Sequence, residues 1–147
     1  MSATGKAADA GTTLIEALVV VAISALVGLI GFPRLQQGLL TLAQRQAVAS
    51  VAESLRRTRA EAYLTDRPSA LVVATDGLGW AASDGSAQRL PPGVSLVAQD
   101  RSGHSGDSIA FFGDGSSTGG AVWVSAAHRS IPVFVAPLTG AVAVGGG

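Results

Sequence analysis

The sequence predicts an α+β protein in which a long N-terminal hydrophobic helix packs on a small antiparallel β-sheet or sandwich. The first observation is an uncharged apolar run over residues 17–32. The second is a set of apolar positions that recur at three- and four-residue steps after this run, which is typical of a helix face. The third is a series of short apolar segments after Pro68, separated by glycine-containing turns, which is typical of strands. Helix first and strands afterwards indicate an α+β fold.

Composition sets limits on function. The chain has 147 residues, with ten basic and ten acidic side chains, so net charge gives no general attraction to nucleic acid or to acidic membrane surfaces. It has no cysteine, which excludes disulfides, cysteine-based zinc sites and thiol catalysis. The length allows about one small domain besides the apolar segment.

The N-terminal region divides into a polar leader and an apolar segment. Residues 1–11 are small and polar without periodicity, and we interpret them as disordered or as a removable leader. Residues 12–33 form the apolar segment, which has roughly the 17–20 residues that a membrane-crossing helix needs. A cleaved secretory signal would require a more basic start and a small-residue cleavage site, and a buried core helix would require a larger domain. Pro33 predicts a kink or local melting at the end of the segment.

Glu16 is the one charged side chain at the head of the apolar segment. A carboxylate at the centre of a membrane helix costs about 2.5–3.5 kcal/mol, and less near an end, so it should have a partner. Cleavage after Gly11 would create one, because the new amino group of Thr12 would lie one helical turn away. The same carboxylate could pair with the amine of a neighbouring subunit. The alternative is that Glu16 lies among lipid headgroups and has no role.

The segment from Gly11 to Ile23 resembles the prepilin signature of type IV pilins and type II secretion pseudopilins. The matching residues are a glycine, then Thr-Leu-Ile-Glu and a run of small and branched apolar residues. The resemblance implies cleavage after Gly11 by a prepilin peptidase, N-methylation of Thr12, and a role for Glu16 in filament assembly. Thr12 stands where the family usually has phenylalanine. Pro33 matches a proline found in many members.

Residues 34–66 predict an amphipathic continuation of the helix, ending near Tyr63 or Leu64 at the turn signal Thr65-Asp66-Arg67-Pro68. The predicted core face is formed by Ala47, Val48, Val51, Leu55 and Ala62. The other positions carry polar residues: Gln44, Gln46, Glu53, Arg56, Arg57, Arg59 and Glu61. We interpret the cluster of Arg56, Arg57 and Arg59 as a solvated, ion-paired face rather than a phosphate-binding patch.

Residues 67–147 predict a β-rich domain. The expected strands are 69–74, 78–82, 94–98, 108–112, 121–125, 131–136 and 141–144, and Asp76-Gly77, Asp114-Gly115 and Thr139-Gly140 are expected turns. The segments from Ile109 to Gly120, Val133 to Val135 and Leu138 to Val142 resemble the GspH/FimT group of the pilin-like family. Residues 55–63 resemble the end of that group's helix.

Catalytic patterns are weak. Gly115 to Gly119 fits G-x-S-x-G by letters, with Ser117 as nucleophile and His104 or His128 as base, but a strand is expected where the motif requires a helix. The histidines and aspartates lack metal-binding spacing. We therefore expect no enzyme, no cofactor and no metal.

The resemblance implies a minor pseudopilin at or near the tip of the periplasmic pseudopilus in type II secretion. Expected partners are other minor and major pseudopilins, the prepilin peptidase and methyltransferase, the bacterial inner membrane and secreted cargo. The expected location is a single pass through that membrane with the β-rich domain in the periplasm. The alternative is a minor pilin of a type IV pilus, acting in pilus assembly or DNA uptake. DNA binding is not expected, because only Arg89, Arg101 and Arg129 follow Arg67, against five aspartates from Asp76 on.

Overall fold

The computed structural model describes the backbone of residues 7–146, and the side chains of 13–29 and 38–146. Within these residues, the chain forms one long helix followed by nine short strands. The helix is α1 (Ala7–Thr65), and the strands are β1 (Ser69–Val73), β2 (Gly79–Ala82), β3 (Ala87–Arg89), β4 (Val94–Gln99), β5 (Ser105–Gly106), β6 (Ser108–Phe111), β7 (Gly120–Ala126), β8 (Arg129–Val135) and β9 (Val142–Val144). The predicted α+β order is confirmed.

The ends of α1 differ in how well the sequence predicts them. Residues 7–11 of the predicted leader are helical, so the expectation of disorder is wrong for them, while residues 1–6 lie outside the described part of the chain. The helix is continuous through Pro33, which corrects the predicted local melting. It ends at Thr65, and Asp66 follows with a φ of 51°, a left-handed residue of the kind that terminates helices.

The described residues divide into two compact units, 1–39 and 40–147. The described part of the first unit contains only the N-terminal part of α1. The second unit contains the rest of α1 and all nine strands. The candidate residues near the N-terminus therefore belong to the first unit, and the core belongs to the second.

The strands form two antiparallel sheets. The first has the order β3-β2-β1-β6, and the second has the order β5-β4-β7-β8-β9. The seven predicted strands are present, with ends shifted by at most two residues. The strands β3 and β5 were not predicted.

One apolar stripe of α1 packs against side chains of the two sheets, and together they form the core. The five residues of the predicted core face, Ala47, Val48, Val51, Leu55 and Ala62, are all buried, which confirms the helical period. They join apolar side chains from both sheets in a single cluster that includes Leu71, Phe111, Val122 and Val133. The core therefore holds helix and sheets of the second unit together.

Candidate assembly site

Gly11, Thr12 and Glu16 all lie on the first turns of α1. Four residues separate Thr12 from Glu16, so they lie about 6 Å apart along the helix axis, one turn from each other. The Thr12 nitrogen is a neutral amide in this uncleaved chain, and it becomes a charged amine only when the bond to Gly11 is cut. The Glu16 side chain is exposed, and it forms no ion pair or hydrogen bond among the described residues.

The described side chains of the first unit are exposed on every face of the helix. All positions from 13 to 29 are exposed, and Leu14, Leu18 and Leu29 each expose more than 70% of their surface. Ser24 donates a hydrogen bond from Oγ to the Val20 carbonyl at 2.7 Å, so its hydroxyl is satisfied within the helix. A continuous apolar surface of this size indicates contact with other proteins or with lipid.

Within the described residues, no helix combines the length and the apolarity required to span a membrane.

Gln44 connects α1 to the second sheet. The sequence placed this amide on the polar face, but it is buried, with 2% of its surface exposed. Its Nε2 donates to the carbonyls of Val124 at 3.0 Å and Arg129 at 2.9 Å. The available signal was its register, because Gln44 lies four residues before Val48 and seven before Val51, on the buried stripe.

Arg56, Arg57 and Arg59 are exposed, as predicted for a solvated face, but the predicted ion pairing is only partial. Arg57 lies 3.8 Å from the Glu53 carboxylate, with both side chains largely exposed. Among the described residues, Arg56 and Arg59 form no such pair. They line a groove of about 340 Å³ together with Ala60, Tyr63, Asp114 and Gly115, which we call the arginine groove.

Ser117 has a structural role. It is buried, its Oγ donates to the Ala136 carbonyl at 3.0 Å, and it accepts a hydrogen bond from the Gly119 amide at 3.0 Å. His104 and His128 are exposed, and His104 Nδ1 lies 3.9 Å from an Asp100 carboxylate oxygen. Neither histidine is hydrogen-bonded to Ser117 in the described structure, so these residues do not form a nucleophile and base.

The predicted turn at Asp114-Gly115 carries an ionised carboxylate. The Ser116 hydroxyl and amide both donate to Asp114 Oδ1, at 2.6 and 2.9 Å. These hydrogen bonds lower the pKa of Asp114 from its ordinary value. Among the residues that the structure describes, no group of three or more histidines and carboxylates is arranged to hold a metal ion.

Comparison with known proteins identifies the family. No family model matches the chain. The type II secretion system protein H of Xanthomonas campestris pv. campestris is 31% identical over 139 residues, which covers 92% of this chain and 82% of that protein. This chain belongs to the type II secretion system protein H family.

Two solved structures have the same fold as this protein H family member. The type IV minor pilin FimU of Pseudomonas aeruginosa aligns with a TM-score of 0.52 and 14% identity, covering 68% of this chain and 90% of that one. The minor pseudopilin EpsH from the type 2 secretion system of Vibrio cholerae aligns with a TM-score of 0.52 and 14% identity, covering 68% and 94%. The predicted pilin-like fold is therefore confirmed.

Proposed function

We propose that the protein is a minor pseudopilin of type II secretion, which takes its place at or near the tip of the pseudopilus. The observation that carries this proposal is its similarity to type II secretion system protein H across nearly the whole chain. The shared fold with EpsH supports it. FimU has the same fold, but the described structure adds no observation that favours a type IV pilus over type II secretion.

The first helix turns act in maturation and assembly in this proposal. A prepilin peptidase cuts after Gly11, and Thr12 becomes the N-methylated first residue. Its amine and the Glu16 carboxylate of the same or a neighbouring subunit then form an ion pair. Support comes from their separation of one helical turn in α1 and from the exposed position of Glu16.

The apolar part of α1 anchors the protein in the inner membrane before assembly and packs among neighbouring subunits afterwards. This step is supported by the exposure of its apolar side chains on every face. The β-rich domain then lies in the periplasm, where it meets other minor and major pseudopilins and secreted cargo. The chemistry is assembly rather than catalysis, in keeping with the buried, backbone-bonded state of Ser117.

The test is secretion in a strain that lacks the chromosomal copy, with variants supplied in trans. We expect Glu16→Ala to leave cleavage intact and to lower both secretion and recovery of the protein in sheared pseudopili. Glu53→Ala is the matched control, because it removes an exposed carboxylate from the same helix. Among the described residues, Glu53 forms one ion pair, a long surface contact with Arg57. Normal incorporation of the Glu16 variant would refute the ion pair, and normal secretion without the protein would refute the proposed function.

A further inference from the structure

One wall of the arginine groove is a face of α1, and the opposite wall is a turn of the β-rich domain. Arg56, Arg59, Ala60 and Tyr63 are spaced at three- and four-residue steps, so they lie on one face of α1. Asp114 and Gly115 lie opposite, in the turn after β6. The Tyr63 ring is largely open to solvent, with 68% of the side chain exposed.

The Arg59 side chain lies next to two turns, and the nearest residue of each turn is a glycine. A Cβ on Gly140 would lie 2.9 Å from Arg59 Nε and 2.5 Å from the Gly115 carbonyl oxygen. Both glycines have positive φ, 83° at Gly115 and 61° at Gly140. The guanidinium therefore lies against backbone that only glycine leaves open.

The groove combines two free cations with one anion. Arg56 and Arg59 have no carboxylate or carbonyl partner among the described residues, whereas the neighbouring Arg57 is paired with Glu53. Asp114 lines the opposite wall; its Oδ1 accepts from Ser116, and its Oδ2 accepts no hydrogen bond among the described residues. A ligand that fits both walls must carry an anion and a hydrogen-bond donor close together.

We propose that the arginine groove binds an acidic side chain on an extended peptide segment of a partner protein. The carboxylate would lie between the guanidiniums of Arg56 and Arg59, which suit planar anions. A backbone N–H of the peptide would donate to Asp114, and an apolar neighbour would rest on Ala60 and Tyr63. The choice of a protein partner rests on the proposed function, while the recognition chemistry rests on the groove alone.

A nucleic acid fits the groove less well. A phosphate and the peptide carboxylate would both meet the negative charge of Asp114, but the peptide carries a backbone N–H that can donate to this carboxylate, and a phosphodiester backbone has none. From residue 40 on, the sequence balances its arginines with an equal number of carboxylates. Binding along a strand would require a continuous basic surface.

The test uses the full-length protein in detergent micelles, labelled with nitrogen-15, and observes the arginine Nε–Hε signals by NMR. The probe is the capped pentapeptide Ala-Leu-Asp-Leu-Ala, with an Asn-containing counterpart as the neutral control. We expect the Asp peptide to shift the signals of Arg56 and Arg59 and to bind at least about tenfold more tightly than the Asn peptide, because a charge-assisted contact is lost. Equal binding of the two peptides would overturn the proposal.

Single variants locate the site. Arg56→Gln and Arg59→Gln should each weaken Asp-peptide binding by about tenfold, and Arg57→Gln, on the same helix but outside the groove, should leave it unchanged. Arg59 packs against Gly140, so its variant is interpreted with its melting temperature, whereas Arg56 has no such contact and gives the independent result. An Arg56 variant that binds as well as the parent would refute the site. Shifts with oligothymidylate but not with the peptide would also refute it, in favour of a nucleic acid.

The result of the peptide-binding test can be separated from the result of the secretion test. Loss of peptide binding is measured on the purified chain, while the pseudopilin function is measured by secretion in cells. If Arg56→Gln abolishes peptide binding but still supports secretion, and secretion fails without the protein, the proposed function stands. The groove then binds a partner that secretion does not require. If the protein proves unnecessary for secretion while the peptide still binds as expected, the groove stands and the assigned system is wrong.

Discussion

Replacing Gln44 by leucine should destabilise the β-rich domain by removing a connection between helix and sheet. Leucine keeps nearly the same volume in the core but cannot donate to the Val124 and Arg129 carbonyls, which now accept hydrogen bonds at 3.0 and 2.9 Å. The contact with Val124 is buried and that with Arg129 is half-buried. Water can therefore replace the lost donor at Arg129 more easily than at Val124.

The size of the effect follows from these two carbonyls. Two hydrogen bonds are lost, and each contributes about 0.5–1.5 kcal/mol net. The expected loss is therefore about 1–3 kcal/mol in the free energy of unfolding. For a domain of this size, this corresponds to a fall of about 4–12 °C in the melting temperature.

The assay is thermal and urea unfolding of the full-length protein in detergent, followed by circular dichroism. Gln46→Leu is the matched control, because Gln46 is exposed two positions along the same helix, and its effect should stay within about 0.5 kcal/mol. If both variants unfold like the parent, the buried amide does not stabilise the connection between helix and sheet.

Three further predictions address the turns and the processing site. Gly140→Ala should destabilise by at least about 1 kcal/mol more than Gly85→Ala, since both have positive φ but only Gly140 also meets Arg59 and the Gly115 carbonyl; equal losses in urea unfolding would refute the packing argument. Asp114→Asn should lower the melting temperature near neutral pH, and the difference from the parent should vanish as the pH falls through the lowered pKa of Asp114, below its ordinary 3.8; a difference that persists in acid would contradict this origin. Gly11→Val should block cleavage, and the intact mass of the membrane-extracted protein should then retain the leader; a mature mass would rule out cleavage at this bond.

Local pattern was sufficient for the helix and for most strands, because burial on one face leaves a period in the sequence. Val48, Val51 and Leu55 repeat at helical steps, and all three are buried. The strand β3 was missed because its three residues are all exposed, so no alternation marks it. The strand order within the two sheets was not predictable either, since pairing β1 with β6 and β4 with β7 depends on contacts distant in sequence.

Polar residues were the main source of error, because their type does not reveal their partners. Gln44 and Gln46 look alike in the sequence, yet one is buried and bonded to the second sheet and the other is in solvent. Arg56 and Arg57 are adjacent, yet only Arg57 has a carboxylate partner among the described residues. Such distinctions depend on which distant residues lie opposite each side chain in the fold. The local periodicity of the sequence does not reveal those residues.

The exposed apolar helix and the single carboxylate at its head have separate roles in the proposed assembly. Moving a helix such as residues 13–29 from lipid to a bundle of like helices changes its apolar environment little, because lipid tails are as apolar as leucine side chains. Apolar burial alone therefore gives little drive from membrane to filament and does not fix the axial position of one subunit against the next. An ion pair between Glu16 and an amine at Thr12 would supply both, since a buried charge without its partner is costly. In the proposed filament, a subunit displaced by one turn would lose an ion pair to its neighbour, so the carboxylate would set the register while the apolar surface alone would tolerate several.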